Sequence, residues 1–250
     1  MATNRIAGAL AALLTLGLAG CTEPDKPAPP PPADKHQYST RWIPNPSLDL
    51  MSPEGTFVRA IIESYWSVRL SDKHGRAVLA DKGYPGLEHA ENHVFGRGDL
   101  GDFGGNPGGP ILVGTEYNEV VDFRRDGDRY TATVCTYDSL IAQGRDGAYV
   151  SRGATPIGTA QEYTFGPDPT LTSEQQHTPP AQQRGPARRP TDSVFGTWLL
   201  LEELRPSDDQ IRACNKLAPG TPTDWPDPYM RSDPPPTLSP DPGWPEGSKA

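Results

Sequence analysis

Apolar residues recur at spacings of three and four after residue 52, and at spacings of two after residue 118. The first pattern predicts an amphipathic helix. Val58, Ile61, Ile62, Tyr65 and Trp66 share one face, with Arg69 at its end. Ser52 suits the N-cap, Pro53 the first helical position and Glu54 the positive end of the helix dipole. Shorter helices are predicted at Arg76–Lys82 and Gly86–Val94, separated by Gly83 and Pro85. Gly96–Gly114 holds eight glycines and reads as a loop. The second pattern predicts strands. Glu119–Arg125 and Arg129–Tyr137 flank Asp126-Gly127-Asp128, a hairpin signal, and Leu140–Gln143 and Ala148–Arg152 flank Asp146-Gly147. Further strands are predicted at Gln161–Phe165, Ser193–Leu204 and Gln210–Leu217, the last two pairing across Arg205–Asp209. Gly166–Pro190, rich in Pro, Gln and Arg, reads as a mobile surface loop. Helices first and antiparallel strands afterwards make an α+β fold, with N-terminal helices packed on a curved sheet.

The ends of the chain follow neither period. Of the 30 prolines, eight fall between Pro24 and Pro46 and ten between Pro219 and Pro245. The flanks therefore read as disordered Pro-rich segments around a domain at 51–217, with a linker at 21–50 and a tail at 218–250. Pro27-Ala28-Pro29-Pro30-Pro31-Pro32 favours polyproline II, a semi-rigid spacer. Trp225, Tyr229 and Trp244 are the tail residues suited to pack against the body.

Residues 1–20 carry one charge, Arg5, then an apolar run from Ile6 to Leu18 and small residues. That is the layout of a secretory signal, too short for a comfortable transmembrane span. The tetrapeptide Leu18-Ala19-Gly20-Cys21 resembles the lipobox of bacterial lipoproteins. The resemblance implies lipidation of the Cys21 thiol (palmitate among the acyl groups), cleavage before Cys21, and a mature protein on the extracytoplasmic side of the cell membrane.

The formal charge is −9, and removal of residues 1–20 takes away Arg5 and no acid. An acidic body argues against nucleic acid and against anionic head groups as a second anchor. Within it, Arg184, Arg188 and Arg189 form a local basic patch, either a receiver for an acidic partner or a solvated loop. With Cys21 assigned to lipid, Cys135 and Cys214 remain. An oxidising compartment can join such a pair as a disulfide; the alternative is two separately buried thiols. No Gly-x-Ser-x-Gly or P-loop occurs. His89 and His93 are four apart, with Asp81 or Glu88 as third-ligand candidates, but Glu91 does not follow the first His as a zincin requires. No metal and no cofactor is expected.

Ser52-Pro53-Glu54-Gly55 opening a helix, Val134-Cys135-Thr136-Tyr137-Asp138 in a strand, the Asp146-Gly147 turn and the Trp198 strand resemble actinobacterial lipoproteins with a nuclear-transport-factor-like (SnoaL-like, cystatin-like) cone domain. The resemblance covers roughly 52–217. It implies a cavity between helices and sheet, for which Tyr65, Trp66, Asp122 and Asp138 are the candidate lining residues. No catalytic residue is assigned, because no His is an evident partner for either aspartate. The favoured reading is a membrane-anchored envelope lipoprotein, a non-enzymatic module that binds an envelope protein or an apolar ligand. The alternatives are a cone-fold enzyme acting on a small hydrophobic substrate and a surface or prophage-encoded exclusion protein.

Overall fold

A computed structural model describes residues 36–95 and 110–247. The signal segment, Cys21, the polyproline stretch and most of the Gly-rich loop lie outside the described residues. In chain order the elements are β1 (Gln37–Ile43), α1 (Pro53–Arg69), α2 (Arg76–Lys82), α3 (Leu87–Phe95), β2 (Ile111–Asp126), β3 (Arg129–Tyr137), β4 (Ile141–Arg145), β5 (Ala148–Ser151), β6 (Gly158–Pro167), β7 (Trp198–Leu204), α4 (Asp208–Ala213) and β8 (Tyr229–Arg231). The fold is α+β, and its eight strands form one curved, largely antiparallel sheet in the order β7-β6-β3-β2-β4-β5-β8. β1 joins it as a parallel neighbour of β2. The 16-residue β2 organises the sheet, since its first four residues pair with β4 and nine of its last ten pair with β3, Val121 being passed over at a bulge between Val120 and Asp122.

The first helix forms as its sequence predicts. Ser52 Oγ accepts the Gly55 amide at 3.0 Å, and Pro53 opens the helix. Gly55 is required because a Cβ there would collide with the Asp49 carbonyl and the Leu50 backbone. α1 buries Phe57, Val58, Ala60, Ile61, Ile62 and Val68 against the sheet. An aromatic cluster fills the space between. Phe57 stacks on Phe165 at 4.8 Å and meets Phe195 edge-on at 5.7 Å, and Tyr130 stacks on Trp198 at 5.0 Å. Each such side chain contributes about 1.5–3 kcal/mol when taken out of water.

The sheet is covered on both faces. Tyr130, Ala132 and Val134 of β3 belong to the helix-side core, whereas Cys135 and Tyr137 belong to a second cluster with Cys214 and Ala218. Cys135 and Cys214 are joined as a disulfide, with Cα atoms 5.1 Å apart across 79 residues. In the loop-entropy model, a link that long stabilises the fold by about 4 kcal/mol.

Three expectations are corrected. The segment predicted as a strand at Gln210–Leu217 begins with α4, because Ser207 and Gln210 form a reciprocal capping box. Gln210 then turns its side-chain amide to Thr133 Oγ1 at 2.8 Å. The linker expected at 21–50 supplies β1, whose Trp42 is buried. The tail expected to be disordered lies on the body: β8 pairs with β5, and Trp244 is wholly buried. Residues 237–241 also seal the outer edge of β1. The Trp42 amide donates to the Asp241 carbonyl at 2.7 Å, and Thr237 Oγ1 donates to the Gln37 carbonyl at 2.8 Å. An open edge strand is a template for aggregation, and this one is occupied.

If the tail is structural, Trp244→Ala destabilises the protein by about 3–5 kcal/mol, as expected for a large buried aromatic. Urea unfolding followed by circular dichroism measures this, and a midpoint equal to wild type would contradict it.

Candidate functional site

The polar centre of the molecule lies on α1. Arg59 and Glu63 are one helical turn apart and 0% and 5% exposed. Glu63 accepts three hydrogen bonds: from Trp42 Nε1 at 2.8 Å, from the Tyr84 hydroxyl at 2.9 Å and from Trp244 Nε1 at 2.6 Å. Arg59 donates to the carbonyls of Gln183, Pro242 and Gly243 at 2.7–2.9 Å, and its guanidinium lies 4.2 Å from the Trp244 ring centre. Burial pushes the Glu63 pKa up, opposed by Arg59 and by the three donors; burial likewise lowers that of Arg59. This network holds the fold together and presents no group for chemistry on a ligand.

A second buried acid is different. Glu91 on α3 is 0% exposed, and neither of its oxygens has a hydrogen-bond partner among the described residues. The buried Tyr163 hydroxyl on β6 is equally unpartnered among them. Tyr163 pairs in register with Glu203 of β7. Burial, then the charge of Glu203, pushes the Glu91 pKa up to about 8. Glu116, also buried, is pushed up to about 8 by burial, against a hydrogen bond from Asn118.

A cleft of about 600 Å³ lies on the surface, where the β2–β3 turn and the end of β6 meet the loop after it. Arg129, Asp168, Leu171, Gln176 and Leu201 contribute to its mixed polar and apolar lining. Asp168 is held in place by the amide and hydroxyl of Thr170 at 2.8 and 2.6 Å, and His89 Nε2 lies 3.9 Å from its other oxygen. Ser173 also lines the cleft.

The residues singled out in the sequence are distributed as follows. Cys135 and Cys214 meet, whereas Cys21 lies outside the described residues. Tyr65 and Trp66 are half-buried on α1, with the Arg69 guanidinium 5.9 and 5.8 Å from their ring centres. Tyr65 feels the charges of Glu203, Arg69 and Glu91. Asp122 is half-exposed at the β2 bulge, 3.1 Å from Arg124. Asp138 follows β3, 3.7 Å from Arg152, with its pKa raised by burial. Asp81 pairs with Lys73 and Glu88 with Arg76. No group of three potential metal ligands occurs among the described residues.

Sequence reasoning passed over Glu63, Arg59, Glu91 and Asp168. For the first two a signal existed: an Arg and a Glu four apart inside an apolar stripe, with unassigned tryptophans elsewhere. Glu91 gave none beyond its place in a short helix. Compared with protein-family models, with curated proteins and with solved structures, the chain matches none.

A carboxyl whose folded pKa exceeds the unfolded value holds a proton that the unfolded chain releases. Its contribution to stability is whole below the ordinary pH 4.5 and is lost as pH rises toward 8. Stability from Glu91 and Glu116 therefore falls between pH 5 and 8. Glu91→Gln flattens part of that slope and is more stable relative to wild type at pH 8 than at pH 5. Urea midpoints at the two pH values test this; parallel pH profiles for variant and wild type would refute it.

Proposed function

We propose that the chain is an exported, lipid-anchored envelope protein whose folded body is a non-enzymatic binding module. The observation that carries this reading is Leu18-Ala19-Gly20-Cys21 at the end of a charged-then-apolar leader. The disulfide supports it, since such links persist in oxidising compartments outside the cytosol. Among the described residues no helix is long and apolar enough to cross a membrane, so the reading takes its anchor from the lipid. The α+β fold is compatible with a SnoaL-like cone, although aromatic side chains fill the space that a cone would offer an apolar ligand. The surface cleft at Asp168 and Leu171 is then the docking place for an envelope partner.

One observation favours a second reading, a cone-fold enzyme acting on a small hydrophobic substrate. Glu91 is a buried acid that holds a proton at neutral pH and stands without a partner among the described residues. The nearest charge acting on it is the Glu203 carboxylate, and the binding module is preferred because the leader motif carries that reading.

Cys21→Ala tests the anchor. The expected result is an unprocessed precursor or a protein released into the soluble fraction, read by membrane fractionation and gel mobility. Unchanged membrane association and mobility would overturn lipidation. For the docking place, Leu171→Arg reduces capture of the envelope protein that wild type retains from a detergent-solubilised envelope; equal capture by the variant places docking elsewhere.

A further inference from the structure

Arg184, Arg188 and Arg189 of the basic loop are exposed, but two of them edge a recess in the body. Arg188 and Arg189 line a small recess against β1 and α1, with Ser39, Thr40 and Tyr84 on its other walls and Glu63 at its floor. A second recess lies beside it, sharing Arg189 and adding Lys82. Three features suit this place to an anion. Lys82, Arg188 and Arg189 have no ion-pair partner among the described residues. Arg189 is oriented from behind, because it donates to the Gly83 carbonyl at 3.0 Å and lies 5.7 Å from the Tyr84 ring centre. Arg188 is placed by its backbone, whose carbonyl lies 3.1 Å from the Tyr84 hydroxyl and shares its one proton with Glu63.

The third feature is Ser39. It is 2% exposed, and its hydroxyl has no hydrogen-bond partner among the described residues. A buried hydroxyl left without a hydrogen bond is costly, so a group that accepts its proton belongs there. The Glu63 carboxylate opposes an incoming anion, but it is already held by three donors and backed by Arg59. The recess measures about 80 Å³ and its neighbour about 30 Å³. On this measure about 10–15 Å³ holds one water, so the larger recess has room for a small polyatomic anion.

We propose that this recess binds a phosphate group: Arg188 and Arg189 take its charge, Ser39 donates one hydrogen bond, and Lys82 reaches in from the adjoining recess. Guanidinium groups recognise phosphate through charge-assisted, paired hydrogen bonds. The proposal stands apart from the lipid anchor, since none of its residues belongs to the leader.

The test uses the full chain carrying Cys21→Ser, which removes any acylation. Titration calorimetry with inorganic phosphate at constant ionic strength is expected to give saturable binding of one phosphate per chain. Arg188→Ala with Arg189→Ala abolishes it. Ser39→Ala weakens it about tenfold, the loss expected for one hydrogen bond to a charged group. That variant removes a hydroxyl the fold does not use, so its folding, checked by circular dichroism, is unchanged. A second arm separates the sources of phosphate. Sedimentation with phosphatidylglycerol vesicles, reversed by inorganic phosphate, assigns the site to lipid head groups. Phosphate binding without vesicle binding assigns it to a soluble phosphoester. Absence of both, or binding that survives the Ser39 and Arg188/Arg189 substitutions unchanged, overturns the proposal.

Discussion

The packing of β1 and of the segment around Trp244 depends on how two charges on α1 are satisfied out of water. Removing a charged group from solvent costs several kcal/mol per ion, and a charge left without partners is strongly destabilising. Arg59 and Glu63 avoid that cost by drawing in distant segments. Glu63 takes its donors from β1, from the turn between α2 and α3, and from the tail. Arg59 takes its acceptors from the loop after β6 and again from the tail. Proline-rich segments lack amide donors but keep their carbonyls. A buried guanidinium, which has only donors, is their natural complement.

The same economy of donors and acceptors explains why the sheet needs two coverings. Its helix side is closed by the α1 stripe and the aromatic cluster. Its other side is closed by α4 and the segment after it, held through the Cys135–Cys214 link and the Gln210 amide. Gly158 permits this approach, because a Cβ there would strike the Cys214 carbonyl. The alternation along β3 expresses the arrangement at sequence level: Tyr130, Ala132 and Val134 serve the helix side, and Cys135 and Tyr137 serve the second layer.

Local signals were legible where they are self-contained. Ser52-Pro53 opens α1, Arg76–Lys82 is a helix, and Asp126-Gly127-Asp128 turns β2 into β3. Signals that need a distant partner were not. Gln37–Ile43 becomes a strand only because β2 lies on one side and residue 241 on the other. Trp244 is a lone aromatic among prolines until Glu63 and Arg59 stand opposite it. α4 is a different case. Its Ser207-Asp208-Asp209-Gln210 capping box was visible, and the reading as a strand gave more weight to the paired pattern of Ser193–Leu204. Of the candidate site residues, only the cysteine pair could be joined from composition; Asp168 and His89 meet because the end of β6 passes α3.

The seal on the β1 edge has a consequence for how the protein is made. The strand near one end of the folded body is completed by residues about 200 positions later in the chain. Until they arrive, Glu63 lacks its Trp244 donor and Arg59 lacks two of its three carbonyls. A nascent chain therefore cannot reach this packing until residues 237–244 have been made, and contacts of such long sequence separation form late. A chain interrupted shortly before Trp244 leaves Arg59 and Glu63 short of partners and is a substrate for proteolysis rather than a shorter working domain.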